Sequence, residues 1–282
     1  MSVPGFVENN GQIADFEGNL HPEMLFELQI NGANIYFTKK GLSYYFYKNE
    51  EIETNTSILT TKVDKLNAEC GAKEIKSYYY RMDMHFENAN VDDVNIIPIG
   101  ESNVYSNFYF PHCSNGILNA KQYLSIRYRN IYNGIDFVFT VNEGKLKYNI
   151  EIGPDANFKD IKLIFNGVNE INKISPIELL LKTPVIDFTE TMPEVYYSDN
   201  HENIECNFQV NRNIVSFNIP TYINNRKFII DPVQYWSTYF DYNLGSNIQN
   251  ARPVFDSQGN IYNAGRVQST GFPMIDAGSG QY

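Results

Sequence analysis

The chain has 282 residues, and its 22 basic and 33 acidic side chains give a formal net charge of −11. A hydrophobic content of 43% excludes a disordered or collagen-like chain. The acidity argues against nucleic-acid binding, which needs clustered Lys and Arg. Aromatic residues reach 15%, which favours β-structure because rings pack well on pleated sheets. No run of 18 apolar residues occurs, so we expect no membrane span.

The first apolar segments predict a β-hairpin. Asn31-Gly32 separates Met24–Ile30 from Ala33–Phe37, and Asn-Gly between apolar runs is a strong hairpin signal. The alternative is a short helix over His21–Leu28, with Pro22 in its first turn. We prefer the strand. The polar residues of Glu50–Asn55 predict a loop, and those of Asp64–Ser77 a loop or a short helix.

Further along the chain, residues alternate between apolar and polar with period two, as in strands with one face buried. The clearest runs are Tyr78–Phe86, Lys145–Ile152 and Val215–Ile219. Asn142-Glu143-Gly144 predicts a hairpin turn between Ile135–Val141 and Lys145–Ile152. We therefore expect an all-β fold, with an antiparallel β-sandwich-like domain.

A change of composition near Val233 predicts two domains, residues 1–233 and 234–282. The second segment is richer in Gly, Ser and Asn, and its turn at Asp256–Asn260 joins Arg252–Phe255 to Ile261–Ala264. It is too short to fold alone without a partner, since chains near ~40 residues need added support.

Several motifs, in order along the chain, resemble the uncharacterised domain that precedes SBBP (seven-bladed β-propeller) repeats in bacterial surface proteins. They are an FxENxGQ opening, an NGID segment, a GP turn and an IDP close. The tail resembles the first part of one such repeat, so the second domain is expected to start a β-propeller. The residues that carry the resemblance are Phe6, Glu8, Asn9, Gly11, Gln12, Gly134, Ile135, Asp136, Gly153, Pro154, Ile230, Asp231 and Pro232, and in the tail Asp256, Gly259, Asn260 and Gly265.

The resemblance implies an exported, cell-surface protein whose partners are the remaining propeller blades, and it implies no established reaction. A surface glycan or a protein is the candidate ligand. The first residues, Met1–Gly5, lack the basic and apolar regions of a signal peptide. Cys70, Cys113 and Cys206 and the four histidines show no metal-ligand spacing, so we expect no cofactor.

Three function classes remain open from the residues. The first is a non-catalytic module for display, adhesion or ligand binding, in which exposed tyrosines could stack on sugars. The second is a carbohydrate-active enzyme, for which Asp136, Glu143 and Glu151 are the candidate carboxylates. The third is a structural component of an envelope or particle assembly. We expect Asp136 to be a structural acceptor, Glu143 and Glu151 to be solvated, and Asp231 to accept backbone N–H bonds. Adjacency on a strand separates His112 from Cys113 and opposes a nucleophilic pair.

Overall fold

The computed structural model describes residues 5–15, 17–30, 33–52, 74–89, 96–142 and 144–236, and four two-residue strands after residue 248. Within these residues the chain is all-β, with a short 3-10 turn at Phe158–Asp160 and no α-helix. None of the described segments is a helix that could cross a membrane. The predicted all-β class is confirmed.

Sixteen strands form one sheet, paired antiparallel throughout. Along the chain they are β1 Phe6–Glu8, β2 Met24–Ile30, β3 Ala33–Thr38, β4 Gly41–Ile52, β5 Glu74–Phe86, β6 Ile96–Phe108, β7 Ile117–Tyr132, β8 Ile135–Asn142, β9 Lys145–Ile152, β10 Leu163–Asn166, β11 Glu170–Ser175, β12 Glu178–Lys182, β13 Asp187–Tyr197, β14 Asn207–Asn211, β15 Ile214–Asn218 and β16 Phe228–Trp236. Their spatial order is β11-β12-β13-β16-β9-β8-β7-β1-β2-β3-β4-β5-β10-β15-β14, with β6 paired to β7.

The sheet folds over near β1, so that its two halves face each other. Rings from opposite halves make contact: the centroids of Phe37 and Phe139 are 5.3 Å apart, and those of Phe86 and Phe137 are 4.9 Å apart. The end strands also approach each other, because the backbone N–H of Phe208 donates to the carbonyl of Pro176 at 2.9 Å. The predicted sandwich-like arrangement is confirmed.

Aromatic side chains dominate the space between the layers. Tyr44, Tyr128 and Tyr148 are fully buried with nine phenylalanines of the largest buried class. Each burial of a tyrosine requires a partner for its hydroxyl. The Tyr128 hydroxyl donates to the carbonyl of Thr38 at 2.8 Å, and the Tyr148 hydroxyl donates to the buried Glu190 carboxylate.

The period-two patterns place the side chains as predicted. On β9, the four apolar positions from Leu146 to Ile152 are fully buried, and on β5 the residues Met82 and Met84 are buried while Tyr79 is 71% exposed. The strand Met24–Ile30 is present rather than a helix, and Ile30 pairs with Ala33 across the two-residue turn.

Two predicted loops are wrong in part. β4 continues through Glu50–Ile52, and β5 begins at Glu74, so residues predicted as loop or helix pair with each other, ending at Ile52 with Glu74. The charged residues have low β-propensity, but strand formation depends more on cross-strand pairing than on intrinsic preference. Residues 53–73 lie outside the described part of the chain.

The chain divides into two compact units, one of residues 4–237 and one that includes residues 238–282. In the second unit β17 (Gln249–Asn250) pairs with β20 (Gly265–Arg266), and β18 (Val254–Phe255) pairs with β19 (Ile261–Tyr262). The strands predicted on either side of the turn at Asp256–Asn260 therefore pair with each other, over fewer residues than expected. Asp256, Gly259 and Asn260 lie outside the described residues, and Gly265 lies on β20.

Candidate functional site

A polar groove of about 540 Å³ forms where the turn after β7 meets the end of β9. Its walls include three of the motif residues, Gly134, Asp136 and Gly153. Gly134 has a φ of +73°, and its carbonyl accepts the N–H of Gly153 at 2.9 Å. A Cβ at Gly153 would lie 3.0 Å from that carbonyl, so the close approach of the two turns requires glycine. The full lining is Arg129, Asn130, Gly134, Asp136, Glu151, Gly153 and Lys227.

Two carboxylates in the groove are held by cations. Arg127 contacts Asp136 at 2.5 Å and Glu151 at 3.0 Å, and the ammonium of Lys227 lies 2.7 Å from Glu151. Burial raises the pKa of Glu151, but the hydrogen bonds from Lys227 and Arg127 outweigh burial and leave this pKa below its ordinary value. The prediction that Glu151 is solvated is wrong, since only 19% of its side chain is exposed. Glu143 lies outside the described residues.

Asp136 also accepts a hydrogen bond from the backbone just before the turn between β7 and β8. Its second oxygen accepts the N–H of Asn130 at 2.7 Å, and the Asn130 side chain accepts the N–H of Gly134 at 2.8 Å. These bonds hold Asn130 at a φ of +52°, a conformation that asparagine tolerates. Asp136 is thus a structural acceptor, as predicted. Its neighbour Ile135 is fully buried, whereas Pro154 is exposed in the facing turn.

Asp231 was expected to accept backbone N–H bonds at a domain end, and this expectation is wrong. Asp231 lies within β16, and its carboxylate accepts a hydrogen bond from the ammonium of Lys147 at 2.7 Å. With its amide nitrogen facing Asp231, Asn149 donates to the other carboxylate oxygen at 2.8 Å. A strand side chain stands on one face of the sheet next to the side chains of the adjacent strands, so the carboxylate meets side chains of β9 instead of turn amides. Ile230 and Pro232, on either side of it, are buried.

The polar residues of the FxENxGQ opening are used within their own loop. The Asn9 amide donates to the carbonyls of His21 at 3.0 Å and Met24 at 2.7 Å, and its oxygen accepts the N–H of Gly11 at 2.9 Å. Gln12, 5% exposed, donates to the carbonyl of Glu8 at 2.7 Å and accepts the N–H of Asn10 at 2.7 Å. Phe6 is fully buried in the core. The polar side chains of this opening therefore stabilise the loop between β1 and β2.

This loop also supports a long ribbon, residues 99–124 of β6 and β7 with their connection, which we call the arm. Glu8 accepts the N–H of Lys121 at 2.9 Å. The Cys113 thiol donates to the carbonyl of Gly11 at 3.5 Å, and His112 Nε2 lies 3.2 Å from the carbonyl of Gln12. His112 and Cys113 thus contact two different carbonyls and not each other, which leaves no nucleophilic pair.

The arm carries apolar side chains on its surface. Tyr109 is 74% exposed and lies against Gly116, where an added Cβ would be 3.0 Å from the ring. Sequence reasoning missed the arm because Pro98 and Gly100 interrupt its alternation. A signal was nevertheless present, since residues 102–120 contain no Asp, Glu, Lys or Arg in a strongly acidic chain. The exposed side chains are Ile99, Val104, Tyr105, Tyr109, Phe110, Leu118 and Leu124.

The tyrosine-rich strand β4 divides its rings between a buried and an outer face, as predicted, whereas on β5 the expected burial of alternate rings is wrong, since Tyr78 and Tyr79 are both exposed. Tyr44 and Phe46 are fully buried, while Tyr45 lies on the outer face, 5.3 Å from the Tyr36 ring. On this face burial raises the pKa of the Glu27 carboxyl, and burial with the nearby Glu27 charge raises the pKa of Tyr36 to about 12. These groups form a packed polar face on the outside of the sheet.

No group of His, Cys, Asp or Glu in the described part of the chain has the arrangement needed to hold a metal ion. Asp199 and Glu202, in an oxygen-rich turn, both contact Arg226, at 2.5 and 3.3 Å. That guanidinium occupies the space between the carboxylates that a cation would need.

A family model for a domain of unknown function, DUF7948, matches residues 6–233, and the chain belongs to this family. No curated protein matches the chain. No solved structure matches it either.

Proposed function

We propose that this member of the DUF7948 family is a non-catalytic N-terminal module of an exported bacterial cell-surface β-propeller protein, serving in display, adhesion or ligand binding. The observation that carries the proposal is the internal use of the polar motif residues. Asn9, Gln12 and Asp136 hydrogen-bond to backbone groups close to them in the chain. A catalytic group must instead be within reach of a substrate.

The groove supports the same interpretation over the carbohydrate-active alternative. A glycosidase needs one carboxyl with a raised pKa, so that it is protonated and can act as a general acid. Glu151 has a lowered pKa, and both it and Asp136 contact Arg127. An ionised carboxylate held by cations is a poor proton donor.

The propeller part of the proposal rests on the resemblance of the tail and on its hairpin. Val254–Phe255 and Ile261–Tyr262 pair around the turn that matches the centre of an SBBP repeat. A propeller needs several blades, typically 4–8. We therefore propose that further blades, supplied by a longer polypeptide, are the partners of residues 234–282.

The test combines location and chemistry. The complete reading frame should be expressed in its bacterial host, and protease added to intact cells should remove the domain recognised by an antibody to residues 6–233. A periplasmic protein serves as the protected control. Retention of the domain in intact cells would contradict surface display.

The purified chain should be assayed in parallel against a panel of soluble polysaccharides for released reducing ends. We expect no hydrolysis above a heat-unfolded sample. Hydrolysis that is abolished in both Asp136→Asn and Glu151→Gln, with folding retained, would establish the enzyme alternative and refute the non-catalytic role.

A further inference from the structure

The arm concentrates exposed apolar surface on one element of the fold. Seven large apolar side chains between residues 99 and 124 are 40% to 74% exposed. Three of the seven are aromatic and four are aliphatic. With roughly 250 Å² for each fully exposed aromatic side chain and roughly 150 Å² for each aliphatic one, their exposed fractions amount to on the order of 700 Å². Apolar surface of this size, concentrated on one element of a protein, marks an interaction site.

The arm is also electrically neutral. Its only charged residues are Glu101 and Lys121, and they pair with each other at 3.0 Å. The supporting loop beside it is acidic, with Glu8, Asp15, Glu17 and Glu23 and no Lys or Arg over residues 8–23. Charge depletion around exposed aromatic residues is the composition found at the centre of protein interfaces.

We propose that the arm is a self-association surface, and that its partner is the same arm of a second copy of this chain. Two copies that each carry −11 repel over most of their surface. The arms are the place where they can meet without bringing like charges together. A two-fold axis sets identical patches against each other, which suits a patch that carries no net charge.

The available area fits a modest dimer. A specific interface at the lower limit buries roughly 600 Å² from each partner, and the arm presents a similar amount. β6 pairs with β7 and with no other strand in the described residues. Pro98 and the register shift between Glu101 and Tyr105 interrupt the β6 edge, so the contact is made by side chains and not by a continuous ladder.

Sedimentation equilibrium of the full chain tests the proposal. We expect a monomer–dimer equilibrium with a Kd in the micromolar range. Raising the salt from ~0.02 M to ~0.5 M shortens the Debye length from about 20 Å to about 4 Å. The dimer should therefore become tighter with salt, since only the repulsion is screened.

Two double variants separate the arm from other exposed apolar surface. Tyr109→Ser with Leu118→Ser should raise Kd by about tenfold or more, with the melting temperature unchanged because both side chains are exposed. Ile174→Ser with Ile177→Ser, at 57% and 45% exposed positions on and beside β11, should leave Kd unchanged.

Three results would overturn the proposal. They are a monomer up to roughly 200 µM, well above the expected micromolar Kd, a dimer that weakens as salt rises, and a dimer that the arm variant leaves intact. Binding of neutral oligosaccharides by a monomeric chain, lost in the arm variant, would instead assign the arm to a glycan.

Discussion

Removal of the Arg127 guanidinium tests whether the groove is a structural ion-pair network. We expect Arg127→Met to destabilise the fold by about 2 kcal/mol at pH 7. Arg127 contacts two carboxylates, and the side chains of the three groups are 19% to 27% exposed. Breaking a fully buried pair costs about 3–5 kcal/mol and an exposed pair about 0.2–1 kcal/mol. The partial burial places the cost between these limits.

The remaining partners of Asp136 and Glu151 keep the loss of stability below the value for a fully buried ion pair. After the substitution, Glu151 still contacts Lys227 at 2.7 Å, and Asp136 still accepts the N–H of Asn130 at 2.7 Å. Glu151 therefore keeps a cation, and Asp136 keeps a backbone hydrogen-bond donor. The control is Lys182→Met, which removes an exposed pair with Glu170 at 3.7 Å, and it should produce no measurable change in urea-induced unfolding.

The pH dependence of the destabilisation by Arg127→Met tests whether its origin is electrostatic. Glu151 has a lower pKa in the folded state, so its stabilisation is present above its unfolded-state pKa of about 4.3 and is lost as the pH falls through the folded-state pKa. The difference between wild type and Arg127→Met should therefore shrink below about pH 4. A difference that is the same at pH 7 and in acid would show that Arg127 acts through packing of its stem, and would refute the ion-pair argument.

Three further substitutions or reactions follow from buried groups. Tyr148→Phe removes the hydroxyl that donates to the buried Glu190 carboxylate, and should lower the free energy of unfolding by about 1–3 kcal/mol in urea titrations; an unchanged midpoint would contradict it. Gly41→Ala should destabilise by more than about 3 kcal/mol in thermal melts, because φ is +149° and the added Cβ would lie 2.0 Å from the Met84 carbonyl. Burial raises the pKa of the Cys206 thiol to about 12, so at pH 8 a thiol reagent should label Cys206 only after unfolding, as peptide mapping would show.

Strands with a strict alternation could be predicted from the sequence. β9, β15 and the second half of β5 each have one apolar face, and burial follows that face because the side-chain period is fixed by the backbone. β2 was predicted from the Asn-Gly turn that follows it. β6 could not be found in this way. Its Pro98 and Gly100 are poor strand residues, and the strand exists because β7 pairs with it.

The site could be predicted only in part. The NGID and GP segments were identified as motifs, but the sequence did not show that they face each other. It also did not show that Lys227 contacts Glu151, which lies 76 positions earlier in the chain. The partner of Asp231 was also missed, since Lys147 comes from a different strand. Such pairings depend on strand order, which period and composition do not specify.

Stability and association are carried by different residues in this molecule. The Asn9 side chain bonds four backbone groups between residues 11 and 24, so we expect the loss of its amide to open the loop that supports the arm. Tyr109 contributes little to folding, because most of its ring is in solvent. Asn9→Ala should therefore lower stability and weaken association together, whereas Tyr109→Ser should weaken association alone. The hydrogen-bonded amides of Asn9 and Gln12 thus hold the supporting loop together, and the exposed arm, which carries no net charge, is where we expect the second copy to bind.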